Sequence, residues 1–152
     1  DFALARAMAT MSAMAMALTD EDIADLSAYY AAEKISENAL PVLPEDDEDA
    51  KPSGNKNIQA LITQGSNLYR NGNLSSEVSA CIACHGSLGE GNKPASFPTL
   101  KSQHADYLIK TLTDFNTGTR SSNNPENIMG MMAKKMTDEE IKAVAYRISM
   151  MK

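Results

Sequence analysis

Cys81-Ile82-Ala83-Cys84-His85 is the stretch on which the reading of this chain turns. Two thiols three residues apart stand one helical turn from each other, so both can add to the vinyl groups on one edge of a porphyrin. The histidine directly after the second cysteine can then bring its imidazole to the iron as proximal ligand. A bare C-x-x-C has other uses, as a redox-active dithiol or half of a zinc site. The first wants a surrounding βαβ pattern and the second another ligand pair. The chain shows neither, and its only other histidine is His104, standing alone. The motif therefore reads as one covalently attached c-type haem, with thioethers at Cys81 and Cys84 and iron ligation by His85.

A histidine-ligated iron takes a sixth ligand or leaves that position open for chemistry. Met129, Met131, Met132, Met136 and His104 lie downstream. Thioether ligation favours reduced iron and suits an electron carrier. Methionine is also an adaptable core filler, and spacing alone does not choose among these residues.

The rest of the composition agrees with a small folded protein. The 152 residues suit one domain or two small ones, and 43% hydrophobic with 22% charged residues argues against disorder. Aromatic residues make up only 5% and there is no Trp, which a domain that fills much of its core with a porphyrin tolerates. The two cysteines fall in one motif, which argues against a structural disulfide. No apolar run reaches the about 18 residues of a membrane span, so membrane association is at most peripheral. The chain opens on Asp1-Phe2-Ala3-Leu4 without a charged leader, and reads as a mature, trimmed or fragmentary form. Residues 1–50 hold twelve acidic side chains against two basic ones, whereas residues 51–152 hold twelve basic against eight acidic. Such a dipole can orient a protein on a charged partner. No basic stripe with interleaved aromatics points to nucleic acid.

Periodicity predicts an all-helical fold. Ile58, Leu61, Ile62, Leu68 and Tyr69 mark a helix over 57–71, stopped by Asn71-Gly72-Asn73. A Gly- and Pro-containing loop runs from Gly86 to Lys101. Ser102 is placed to cap a helix through about Asn116, with Tyr107, Leu108, Leu112 and Phe115 inward and Gly118 beyond its end. A polar loop, Thr119 to Asn127, leads to the methionine cluster. Thr137-Asp138-Glu139-Glu140 is a capping box opening a last helix whose inner face is Ile141, Val144, Ala145 and Ile148.

The chain also repeats itself. Thr19-Asp20-Glu21-Asp22-Ile23 matches Thr137-Asp138-Glu139-Glu140-Ile141 at an offset of 118, and Met11-Ser12-Ala13-Met14-Ala15 matches Met129-Gly130-Met131-Met132-Ala133 at the same offset. Asp1-Phe2 corresponds to Asp114-Phe115 once a short loop is allowed. Residues 1–35 thus read as the C-terminal remnant of a second copy of the haem domain, residues 36–56 as an acidic, Pro-containing linker, and residues 57–152 as the haem-binding domain.

In this order the motifs resemble the cytochrome c₄ family of periplasmic two-domain, two-haem class I cytochromes c. The residues that carry the resemblance are the C-I-A-C-H-G at 81–86, Phe97-Pro98-Thr99-Leu100, Gln103-His104 with Tyr107, Asp114-Phe115 with Gly118 and Arg120, the methionine block and the capped last helix. The resemblance implies Met129, eight residues before Thr137, as the axial partner of His85. It implies that the Pro98 carbonyl accepts from the proximal imidazole, and that Arg120 meets the haem propionates or the domain interface. His104 is expected at the interface or the surface, not on iron. Met11 would be the axial methionine of the first copy, whose attachment motif should lie on roughly 55–60 residues absent before Asp1, so a truncated two-haem protein is expected, the alternative being a natural one-haem descendant that reused the N-terminal helices. One haem c belongs to the chain as given, and a second only with that missing part. The implied function is non-enzymatic: periplasmic one-electron transfer between a quinol-oxidising complex and a terminal oxidase. The alternative is a haem subunit of a redox enzyme, or a ligand-sensing module, with an open sixth position.

Overall fold

The computed structural model describes residues 9–34, 36, 38–39, 54–120 and 127–152. The chain divides after Ser36 into two compact units. Among the described residues there are seven helices: α1 (Ala9–Ala15), α2 (Asp20–Ala32), α3 (Gly54–Asn71), α4 (Ile82–His85), α5 (Ala105–Asn116), α6 (Ile128–Ala133) and α7 (Asp138–Ser149). Among the described residues there is no β-strand, only two isolated bridges, Asn73 with Val78 and Asn92 with Phe97.

The larger unit is organised by α3, α5 and α7. Leu68 and Tyr69 of α3, Leu108 and Leu112 of α5, and Ile141, Val144, Ala145 and Ile148 of α7 form one core with Val78, Met136 and Met151. The crossing of α3 and α7 is close because Gly65 faces the Ala143 backbone, and a side chain at 65 would overlap the Ala143 carbonyl. α3 begins at Gly54, inside the segment expected to be linker. The rest of that segment, apart from Ser36, Asn38 and Ala39, and the loop at 121–126 lie outside the described residues, as does the Asp1-Phe2 match.

Two expectations need correction. Ser102 does not cap α5: its φ is +57°, its hydroxyl donates to the Met151 carbonyl at 2.7 Å, and the cap position is His104, whose side chain makes no capping bond. Ser102 instead fastens the α5 approach to the chain's C-terminal turn. Tyr107 is 42% exposed and not part of the core, because Leu108 and Leu112 already fill the inner stripe of α5.

α7 opens as its sequence predicts. The Thr137 hydroxyl accepts from Glu140 N, and the Glu140 carboxylate accepts from Thr137 N at 2.9 Å and from Asn73 Nδ2 at 2.7 Å. Burial pushes the Glu140 carboxyl up, but the Thr137 amide, the Asn73 amide and the Thr137 hydroxyl outweigh it and hold the group below its ordinary value. A depressed carboxyl stabilises the fold at pH above its unfolded value, and that contribution is lost as pH falls through the folded value. Glu140→Gln turns one accepting oxygen into a donor facing a donor. It is expected to lower stability at neutral pH and to flatten the acid side of a denaturation-versus-pH profile. An unchanged acid slope would show that Glu140 carries none of it.

The smaller unit has the same local structure at the offset of 118. Thr19 caps α2 in a capping box with Asp22 as Thr137 caps α7 with Glu140, and α1 ends at Ala15 as α6 ends at Ala133. Burial differs sharply. Ile23 and Leu26 of α2 are 47% and 43% exposed, whereas their counterparts Ile141 and Val144 are each 1% exposed.

Candidate functional site

Two tight loops bracket the attachment motif. In the first, Asn73 and Val78 exchange backbone hydrogen bonds of 2.8 and 2.9 Å. In the second, Asn92 and Phe97 do so at 2.9 Å in both directions. Between them Cys81 to His85 turn through one short helix, with His85 N donating to the Cys81 carbonyl at 2.9 Å. This winding puts Cys81 and Cys84 one turn apart, half-buried and not joined to each other. Burial pushes the Cys81 thiol up to about 11, so it is a neutral thiol at physiological pH.

The His85 side chain is buried, with Nδ1 3.0 Å from the Pro98 carbonyl. A carbonyl only accepts, so Nδ1 carries the proton and Nε2 keeps its lone pair free for a metal. The second loop delivers Pro98 to this position. Gly91 N donates to the His85 carbonyl at 2.8 Å, and Gly91 takes φ +73°, where a Cβ would stand 2.6 Å from the Phe97 carbonyl. Tyr69 holds the other side: its hydroxyl donates to the Gly86 carbonyl at 2.7 Å. Burial, the largest cause, pushes the Tyr69 phenol up to about 12, which keeps it a donor. Periodicity marked Tyr69 as core, but nothing local in sequence links it to Gly86.

Met129 lies on α6, half-buried against the core. Met136 belongs to the core itself, while Met131 is 45% exposed. Arg120 stacks over the Phe115 ring, 4.9 Å from its centroid, and its Nη1 donates to Thr111 Oγ1 at 3.4 Å. The Arg120 guanidinium thus rests on α5. His104 is exposed at the start of α5.

These residues suit a covalent haem. An imidazole with Nε2 free, two unpaired thiols on one turn and a set of half-buried apolar side chains against the core (Cys81, Ile82, Leu100, Ile109 and Met129) match a flat apolar ring that carries its own iron. No three His, Cys, Asp or Glu side chains among the described residues gather to hold a bare metal ion.

The helical fold around this motif is that of a class I c-type cytochrome domain. A family model described as Cytochrome c matches residues 62–150. Cytochrome c4 of Thiocapsa roseopersicina is 39% identical over 146 residues, covering 95% of this chain and 67% of that protein. The thiosulfate dehydrogenase electron acceptor of Stutzerimonas stutzeri is 34% identical over 141 residues, covering 93% and 58%. The crystal structure of reduced recombinant cytochrome c4 from Pseudomonas stutzeri is similar with a TM-score of 0.76 at 33% identity, covering 94% of this chain and 66% of that one. The chain belongs to the cytochrome c4 family, and its cofactor is covalently bound haem c. It spans about 60% of the length of other curated cytochromes c4 that it matches.

Proposed function

We propose that this chain is a periplasmic one-electron carrier whose haem is attached through Cys81 and Cys84 and ligated by His85 and Met129. The observation that carries the reading is the Nδ1–Pro98 hydrogen bond of a buried His85, directly after two unpaired thiols on one helical turn. Bound there, the haem supplies a reversible one-electron iron couple. Pro98 fixes the imidazole's tautomer and orientation and raises its basicity as a ligand. The Met129 thioether favours the reduced state and closes the sixth position. Ile82, Leu100 and Ile109 keep water from the site.

Arg120, steadied by Phe115 and Thr111, is proposed to meet a haem propionate or the other unit. Residues 1–35 are read as the end of a first cytochrome domain, 36–56 as linker and 57–152 as the haem domain. The shared capping geometry of α2 and α7 supports that reading. The proposed partners are a quinol-oxidising complex and a terminal oxidase. The name of the Stutzerimonas stutzeri relative supports a redox enzyme as a further kind of donor. No helix among the described residues is long and apolar enough to cross a membrane, which fits contact with membrane complexes from the periplasmic side.

An open haem site, as in a reductase subunit or ligand sensor, would bind carbon monoxide when reduced. The ferric protein is expected to show the methionine-to-iron charge-transfer band, and the ferrous spectrum to be unchanged by carbon monoxide. Rapid, stoichiometric carbon monoxide binding would favour the open-site reading instead.

A further inference from the structure

Met129 sits on a helix too short to hold itself. α6 has six residues, and a helix of that length gains too few hydrogen bonds to offset its nucleation cost. Its position must come from what grips its ends. At the N-terminal end the Asn127 side chain accepts from Gly130 N at 3.0 Å. At the C-terminal end the last residue of α5, Asn116, reaches across: Nδ2 donates to the Ala133 carbonyl at 2.7 Å and to the Met136 carbonyl at 3.0 Å. Both partners are acceptors, so only the amide nitrogen can face them and the orientation is set by chemistry. Ala133 is fully buried and Asn116 half-buried, so this contact is partly shielded from water. Lys134 N and Lys135 N satisfy the Gly130 and Met132 carbonyls within the same turn. Asn116 is therefore the link between α5, which is anchored in the core by Leu108 and Leu112, and the end of the methionine-bearing helix.

We infer that Asn116 is a positioning residue for the sixth ligand: by clamping the C-terminal turn of α6 to α5 it keeps the Met129 thioether on the iron and slows its release. The inference rests on Met129 being that ligand. The Asn116 hydrogen bonds go to the Ala133 and Met136 carbonyls, so it acts through the backbone at the end of α6.

Cyanide binding to the ferric holoprotein tests this, because an external ligand enters only as the methionine leaves. Asn116→Leu keeps the size and removes both donors. Asn116→Ser keeps one donor that is too short to span both carbonyls. Losing two part-buried hydrogen bonds is expected to speed cyanide binding by about tenfold in Asn116→Leu, with Asn116→Ser between it and the parent. Asn38→Ala is the control for plain destabilisation. Asn38 Nδ2 makes a similar clamp elsewhere, to the Ser102, Gln103 and Ser149 carbonyls at 2.8, 3.4 and 3.1 Å, without touching α6. It is expected to lower the melting temperature while leaving the cyanide rate at the parent value. Parental rates in both Asn116 variants, or an equal acceleration in Asn38→Ala, would overturn the proposal. Met129→Ala separates the two levels. If it binds cyanide no faster than the parent, the ligand assignment itself fails and this inference falls with it. If it binds much faster while the Asn116 variants do not, only the role of Asn116 is refuted.

Discussion

Met129→Ala is expected to abolish the methionine-to-iron charge-transfer band and to make the reduced protein bind carbon monoxide. The effect should be close to complete, because alanine offers no donor atom. Met136, the best-buried neighbour, is 8% exposed and committed to the core with Ile141 and Val144. Met131, two positions on, is 45% exposed. Loss of the thioether removes the ligand that favours reduced iron, so the reduction potential is expected to fall as well. The fold should survive: the α3, α5 and α7 core does not depend on the Met129 side chain, which is only half-buried at its edge. Spectra of the ferric variant and of its reduced form under carbon monoxide check this directly. A band that persists would assign the sixth position to another methionine.

Gly65→Ala is expected to have the largest effect on stability. Gly65 is buried where α3 crosses α7, and its Cβ would overlap the Ala143 carbonyl and press on the Arg147 Cβ. Backbone cannot turn aside as a flexible side chain can, so the two helices must separate. In an unobstructed helix the same change would help, since alanine is the better helix former. Here steric overlap decides the sign. Overpacking of this kind costs about 3 kcal/mol, a fall in melting temperature on the order of 10 °C for a domain of this size. Separation would also loosen Tyr69, one turn further along α3, and with it the bond to the Gly86 carbonyl beside His85. Thermal denaturation of the holoprotein measures the loss. A change below about 1 kcal/mol would mean that the crossing is not as tight as the backbone places it.

The parts legible in the sequence were those carried by local pattern. Cys81, Cys84 and His85 are contiguous, the Thr137–Glu140 box spans one turn, and the inner face of α7 repeats with helical period. Each could be read without knowing what lies across the core. The same holds for the echo of α6 and α7 in residues 9–32, which is a match of short strings. What escaped notice were polar side chains that meet distant backbone. Asn116 reaches carbonyls 17 and 20 positions away, and Asn38 reaches three carbonyls between 64 and 111 positions away. A carbonyl is present at every residue, so no sequence signal marks which one an asparagine will find. Ser102 failed for a related reason. Its side chain is a good helix cap in isolation, but the C-terminal turn supplies the Met151 carbonyl as a competing partner, and the helix starts three residues later. Tyr107 shows that an aromatic residue on an amphipathic helix goes to the core only if the stripe has room, and Leu108 and Leu112 had taken it.

Electron transfer by this chain depends on the haem, so its covalent attachment is the point to test first. The holoprotein should be extracted with acidified acetone and the remaining chain weighed under denaturing conditions. The expected result is a chain that keeps its colour and carries the mass of one haem, lost only when both Cys81 and Cys84 are replaced by Ser. A colourless chain at its bare mass, with all haem in the solvent, would contradict thioether attachment at Cys81 and Cys84.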